Sequence, residues 1–280
     1  MLATLGDLVE DVVVRLDGPV NVASDTRARI VRRRGGSAAN TAARAAELGH
    51  AARFVGQVGD DAVGAALAAE LADAGVDVRY VRRGGSTGTI IALIDDVGER
   101  TMLTDRGACL DLDAPDATWL DGVDVLHVPF YSLATGPIAA TSSTVIAWAH
   151  ERGVAVSIDM SSTAILAEVG IAEVLQRLGT ARPTVVFANA DEAATLAVDG
   201  PVADALTVVK RGSLPAIVHG PDGTTEVPAI DVPDLEDTTG AGDAFAAGFL
   251  TSRSWQHEPV AACEAGHVAA AGLLRTRAGR

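Results

Sequence analysis

Apolar runs of strand length alternate with segments of helical spacing along most of this chain, and no other feature restricts its fold as much. "ARFVGQV" (Ala52 to Val58), "VDVLHVPF" (Val123 to Phe130), "VAVSIDM" (Val154 to Met160) and "PTVVFAN" (Pro183 to Asn189) have the length and continuous apolarity of strands buried on both faces. Between them lie "DDAVGAALAAELADAG" and "GPIAATSSTVIAWAHERG", with helical periodicity, acidic or glycine starts and glycine stops. That repetition predicts an α/β fold: a mainly parallel central sheet covered by helices on both faces.

Two stretches break the pattern. Residues 76–106 contain three strand-like pieces joined by Gly-rich and Asp-Val-Gly-Glu turns with no helix among them, and residues 11–33 read as strand pairs. Together they predict a small β-sheet standing off the main body, as a lid, an oligomer contact or both. Because its two parts are far apart in sequence, the lobe grows out of one domain spanning 1–280, a length that supports a full core.

Composition narrows the function. No run approaches the roughly 18 to 20 apolar residues of a membrane helix, and "MLATLGDLVEDVVV" has acids inside its apolar stretch and no basic flank, unlike a secretory signal. A cytoplasmic protein is expected, with no membrane partner. Cys109 and Cys263 stand alone, without Cys or His at metal spacing, and read as reduced thiols. A net charge of −15 argues against nucleic acid. The one basic run, "RARIVRRRGG", reads as a solvated strand edge.

The chemistry concentrates at "DTTGAGDAFAAGF" (Asp237 to Phe249). A dinucleotide fingerprint starting at Gly240 would need a third glycine where Phe245 stands, and a P-loop would need a lysine and hydroxyl that are absent. A Gly240-Ala241-Gly242 turn running into a helix instead exposes several backbone N–H groups at a helix N-terminus, which suits an anion. Asp243 would repel a static phosphate. It fits if a hydroxyl sits between them and loses its proton as a phosphoryl group arrives, with Asp243 as general base. The alternative, Asp243 as a simple helix cap, is equally compatible with this stretch alone.

Taken with "GDLVED" (Gly6 to Asp11), "GGSAANTAARAAELG" (Gly35 to Gly49), "VGQVGDDAVG" (Val55 to Gly64), "TGT" (Thr87 to Thr89) and "ANADEA" (Ala188 to Ala193), that signature resembles the ribokinase-like (PfkB) carbohydrate kinases over nearly the whole chain. The resemblance implies that Asp11, Gly35, Gly36 and Asn40 bind a sugar or sugar-like substrate. It implies that Asn189 and Glu192 help hold Mg²⁺, mostly through water, and that "VVKRGSLPAIV" (Val208 to Val218) lies along ATP with Lys210 and Gly212 in contact. Pro215 stands where a second glycine is usual. A monovalent cation, K⁺, beside Asp237 and Thr239 is a further implication, as is a homodimer formed through the lid.

The expected reaction is ATP-dependent phosphorylation of a hydroxyl, the primary one being favoured, with Asp243 as base and the N–H groups from Gly240 to Asp243 as the anion hole. Arg100 and Arg106 read either as lid contacts to an acidic substrate or as ordinary surface residues. A nucleoside kinase of the same family and a non-catalytic ligand sensor are the alternatives.

Overall fold

The computed structural model describes residues 1–95, 99–233, 237–253 and 255–278. In chain order its strands are β1 (Leu2–Leu5), β2 (Val9–Leu16), β3 (Ala28–Gly35), β4 (Ala52–Val58), β5 (Asp77–Arg83), β6 (Thr87–Ile94), β7 (Arg100–Gly107), β8 (Val125–Pro129), β9 (Ala155–Asp159), β10 (Val185–Asn189), β11 (Leu206–Lys210), β12 (Ala216–Gly220) and β13 (Gly223–Val227). The helices are α1 (Ser37–Glu47), α2 (Ala62–Asp73), α3 (Tyr131–Ala134), α4 (Pro137–Glu151), α5 (Thr163–Val169), α6 (Ile171–Ala181), α7 (Ala190–Thr195), α8 (Ala241–Thr251) and α9 (Pro259–Ala278).

Nine strands form one sheet in the order β13-β12-β11-β10-β9-β8-β1-β4-β5. It is parallel from β11 through to β5 and turns antiparallel only at the β11, β12 and β13 edge. All four residues of β1 are buried, as a strand covered on both faces requires. Two apolar clusters flank the sheet. One gathers α4, α5 and α6 around Leu126, Val128 and Ile158, and the other gathers α1, α8 and α9 around Phe54, Phe187 and Phe249.

Helix starts follow local chemistry. The Asp61 carboxylate accepts the Gly64 N–H at 2.8 Å to open α2, and Pro137 sits in the first turn of α4, where its missing N–H costs nothing. Helices α8 and α9 cross closely because Gly248 has no side chain: a Cβ there would lie 2.6 Å from both the Ala265 carbonyl oxygen and the Ala269 methyl.

A separate four-stranded sheet has the order β3-β2-β6-β7, with β2 and β6 parallel and both outer pairs antiparallel. The expected lobe from residue 76 therefore begins one strand too early. β5 pairs in parallel with β4 at the edge of the large sheet, because α2 returns the chain as a crossover and the strand after it completes a β-α-β unit. The second half of the small sheet starts at Thr87. Asp96, Val97 and Gly98, part of the expected turn between β6 and β7, lie outside the described residues.

Candidate active site

Parallel pairing sets the floor of the site. Phe187 faces Asp159 and Asn189 faces Lys210 across neighbouring strands, so Asp159, Asn189 and Lys210 come together at the carboxyl ends of β9, β10 and β11. Open α/β sheets bind their ligands at that edge. Above it lies a cavity of about 600 Å³ whose wall includes Asp159, Asn189, Glu192, Lys210, Gly212 and the turn from Gly240 to Asp243. Its other side is apolar, with Ile230, Val232, Ala271 and Leu274, and would suit a flat base.

The helix α8 opens at Gly240, whose φ of 76° is a left-handed conformation that favours glycine. The Ala241 N–H closes a turn onto the Thr238 carbonyl at 3.1 Å, so the N–H groups of Gly242 and Asp243 are those left for the cavity that both residues line. Asp243, in the first turn, is not a self-contained cap: one oxygen accepts the Ser37 hydroxyl at 2.7 Å and the other accepts the Asn40 amide at 3.0 Å, both from α1. Burial pushes the Asp243 carboxyl up to about 6. The nearby Asp159 charge adds to the rise, and the Ser37 and Asn40 hydrogen bonds and the Lys210 charge restrain it. A carboxylate fixed by two donors, with lone pairs left over and a raised pKa, can take a proton near neutral pH.

Lys210 reaches the same place. Its ammonium donates to the Asp159 carboxylate at 2.5 Å and would lie 3.2 Å from a Cβ on Gly242, so it rests against the first turn of α8. Burial works against its charge, but Asp159 more than offsets this and raises its pKa. Asn189 and Glu192 form a capping box on α7: Glu192 N–H donates to Asn189 Oδ1 at 2.9 Å, and Asn189 N–H and Nδ2 each donate to a Glu192 oxygen at 2.8 Å. Burial, then the Asp159 charge, raises the Glu192 carboxyl.

These residues fit Mg²⁺ held mainly through water. Two carboxylates lie near each other with one lysine to balance them, and each Glu192 oxygen retains a lone pair. Among the described residues no group of three or more His, Cys, Asp or Glu forms an all-protein metal cage.

The sugar-site residues divide. Asn40 reaches Asp243, and Gly36 caps α1 with a φ of 97°. A side chain at Gly35 would run into the Asp11 carboxylate, so glycine there serves the packing of Asp11. Asp11, Asp237 and Thr239 line a second, smaller cavity under the small sheet.

Asp237 and Thr239 do not fit a monovalent cation. The Asp237 carboxylate accepts Arg33 at 2.8 Å and Arg100 at 3.2 Å, with Arg277 at 3.6 Å, and Arg277 also donates to the Thr239 carbonyl oxygen. Burial alone would raise the Asp237 carboxyl, but hydrogen bonds from Arg33 and Thr239 hold it well below the usual range. Guanidinium groups hold both expected ligands.

Arg106 is not an ordinary surface residue: its buried side chain makes a two-pronged pair with Asp7 at 2.7 Å for both bonds and donates to the Tyr131 carbonyl at 3.0 Å. Pro215 is accommodated, its carbonyl accepting Arg211 Nε at 2.6 Å. Asp159 and Ser37 escaped the sequence reading. Their signals were an acid closing an otherwise apolar strand and a serine at a helix start, both common for structural reasons alone.

A family model for the pfkB family carbohydrate kinases matches residues 1–279, and the chain belongs to that family. It is 35% identical to the ATP-dependent ribose-1-phosphate kinase of Halopiger xanaduensis over 253 residues, 86% of this chain and 81% of that one. The fructokinase of Escherichia coli is 27% identical, over 89% of this chain and 83% of its own. Among solved structures, the adenosine kinase of Sinorhizobium meliloti superposes with a TM-score of 0.83 at 25% identity, covering 98% of this chain and 93% of that one. The chain is therefore an ATP-dependent kinase acting on a sugar or sugar-like small molecule. No helix among the described residues is long and apolar enough to cross a membrane.

Proposed function

We propose that the acceptor is a primary hydroxyl of a furanose-like sugar, deprotonated by Asp243 as its oxygen attacks the γ-phosphorus of ATP. The observation that carries this reading is the placement of the Asp243 carboxylate, fixed by Ser37 and Asn40 at the mouth of the α8 turn in the 600 Å³ cavity. The hydroxyl O–H bond breaks with its proton passing to Asp243, the new P–O bond forms, and ADP leaves with the electrons of the old one. Within the Gly240 to Asp243 turn, the N–H groups of Gly242 and Asp243 stabilise charge on the transferring phosphoryl, the Ala241 N–H being spent on Thr238, and Lys210 positions the triphosphate beside them. Mg²⁺, held by Asn189 and Glu192 through water, would offset repulsion between the triphosphate and these carboxylates. The small sheet acts as a lid over Asp11, excluding water that would otherwise hydrolyse the phosphoryl group. Its exposed Ile30 and Leu103, on the face turned away from Asp11, support pairing with a second copy.

The relative from Halopiger makes ribose 1-phosphate the first acceptor to test, beside ribose, fructose, 2-keto-3-deoxygluconate and adenosine. ADP release with Mg-ATP is expected for one of them. Asp243→Asn is expected to lower kcat by roughly 10²- to 10⁴-fold, the usual share of a general base, with ATP binding retained. Near-wild-type turnover in that variant would remove Asp243 from the base role.

A further inference from the structure

Between α1 and the large sheet lies a seam of buried polar side chains that the phosphoryl chemistry does not use. Thr4 of β1 and His127 of β8 are register partners, so they stand side by side on adjacent strands. The His127 ring meets Phe187, a member of the apolar cluster under α1, α8 and α9, edge to face, so this row faces those helices. On α1, Ser37 reaches Asp243 of α8, while Ala38 lies against Gly6 at the carboxyl end of β1. At about 100° per residue, Thr41 falls between those two directions and points into the corner where α1, α8 and the sheet meet. Ser132 closes the upper end. Its Oγ and the Ala38 methyl would lie 2.8 and 2.9 Å from a Cβ on Gly6, two residues beyond Thr4.

Thr4, Thr41, His127 and Ser132 are all fully buried. Yet Thr4 Oγ1, Thr41 Oγ1, Ser132 Oγ and His127 Nε2 have no hydrogen-bond partner among the described residues, one another included. A buried polar group left unpaired is costly, and these four come from β1, α1, α3 and β8 to one seam. The α1 residues that cover it, Ala38, Ala42 and Ala45, are small and buried, which leaves room beside them. The second ring nitrogen of His127, Nδ1, is 2.9 Å from the Ser157 hydroxyl. Burial pushes the imidazole down to about 4 against the pull of the Asp159 charge, so the ring is neutral near pH 7. Its Nε2 is then a donor or an acceptor according to which way the Ser157 hydroxyl turns, and the threonine hydroxyls can be either. Four uncharged groups of this kind do not suit a cation. Water, which both donates and accepts, does.

Resting on the reading of Asp243 as the base, we infer that Thr4, Thr41 and His127 hold an internal water site that extends toward Ser132, and that Thr41 is a positioning residue acting through it. Buried waters typically make about three hydrogen bonds to groups that would otherwise go unsatisfied. Here those bonds tie α1 to β1 and β8 at once. Alanine side chains bring few contacts of their own, so the directional bonds through water fix the seat of the helix. That seat matters because α1 supplies Ser37 and Asn40, which hold the two oxygens of Asp243. The water therefore sets where the carboxylate meets the acceptor hydroxyl.

A wild-type crystal structure at a resolution that shows ordered solvent is expected to place a water bonded to at least two of Thr4 Oγ1, Thr41 Oγ1 and His127 Nε2. T41V keeps the shape of the side chain and nearly its helix propensity while removing one bond to that water. Its thermal midpoint is expected to fall by a few degrees. Its kcat for ADP release, with whichever acceptor of the panel above is turned over, is expected to fall about tenfold with KM for Mg-ATP unchanged. If T41V fails to fold, T4V replaces it. A dry seam in the crystal, or a midpoint unchanged or raised in T41V, overturns the water site, because exchanging an unpaired hydroxyl for a methyl group is neutral or favourable. A lowered midpoint with kcat retained overturns the positioning role. A protein that phosphorylates none of the panel would remove the proposed reaction, and the positioning role with it, and leave the water site to the crystal and the thermal midpoint.

Discussion

Asp243 carries a pH dependence that can be worked out from its surroundings. Its carboxyl is raised to about 6 because burial and the Asp159 charge disfavour ionisation more than Ser37, Asn40 and Lys210 favour it. Only the carboxylate accepts the substrate proton, so kcat is expected to hold above pH 6 and to fall tenfold per unit below it. A profile flat down to pH 5 would show that no such group limits turnover. The folded state's raised pKa also means that this group's stabilisation is present at low pH and is lost as pH rises through about 6. Asp243→Asn removes that buried charge, so its thermal midpoint at pH 8 is expected to equal or exceed the wild type's. A second expectation concerns ions. With Arg277 and Arg33 on Thr239 and Asp237, replacing potassium by sodium at constant ionic strength is expected to leave initial rates unchanged. A severalfold rise with potassium would show that the guanidinium groups give way. At this scale glycine spacing marked the turn at Asp243, a strand end placed Asn189 and Glu192, and only the resemblance to the family singled out Lys210. It could not show that Asp159 faces Lys210, which depends on the order in which strands pair. Nor could it show which arginine of "RARIVRRRGG" turns inward. The run does form an exposed edge strand, but Arg33 shares its strand face with the cavity and Arg32 points away to Glu10.

At the level of elements, the catalytic turn depends on how α8 lies against its neighbours. Phe187 of β10 meets Phe249 of α8 edge to face with centroids 5.1 Å apart, and Phe245 meets His267 of α9 at the same distance. Gly248 lets α9 approach. Helix propensity alone says that Gly248→Ala should stabilise α8 by about 1 kcal/mol. The contacts at 2.6 Å with Ala265 and Ala269 say otherwise, because one of them is backbone and cannot swing aside. Overpacking of this kind costs about 1–3 kcal/mol, so the net effect is a lower thermal midpoint, by several degrees. An unchanged or raised midpoint would mean that α8 and α9 separate freely, and the α8 turn would then be a poorer platform for phosphoryl transfer. The sequence marked α8 through its glycine turn and alanine-rich run, but Gly248 looked like any helical glycine until α9 was in place. The same limit explains β5. Its strand character was visible, and its allegiance to the large sheet followed only from the helix before it.

For the whole molecule, the question is what the small sheet does with its uncovered surface. Its outer strands β3 and β7 leave two free edges, and Arg27, Arg29 and Arg32 blunt the β3 edge against edge-to-edge pairing. Ile30 and Leu103, on the face turned away from the cavity, remain at least half exposed. A second copy would therefore meet this face of the sheet. Each of the four strands is eight residues long, which gives one face a planar area of about 500 Å² at ordinary strand spacing and rise. That falls short of the roughly 800 Å² per partner of a standard stable interface. The proposed pair is accordingly expected to dissociate on dilution. Light scattering during gel filtration should give a mass approaching twice the 28.5 kDa of the chain at high loading and falling toward one chain at low loading. The double variant I30E/L103E should run as one chain throughout, with an unchanged thermal midpoint, because both positions are solvent-exposed. A wild type that stays at one chain at every loading would leave the small sheet as a lid alone. A pair that survives the double substitution would place the contact elsewhere on the molecule.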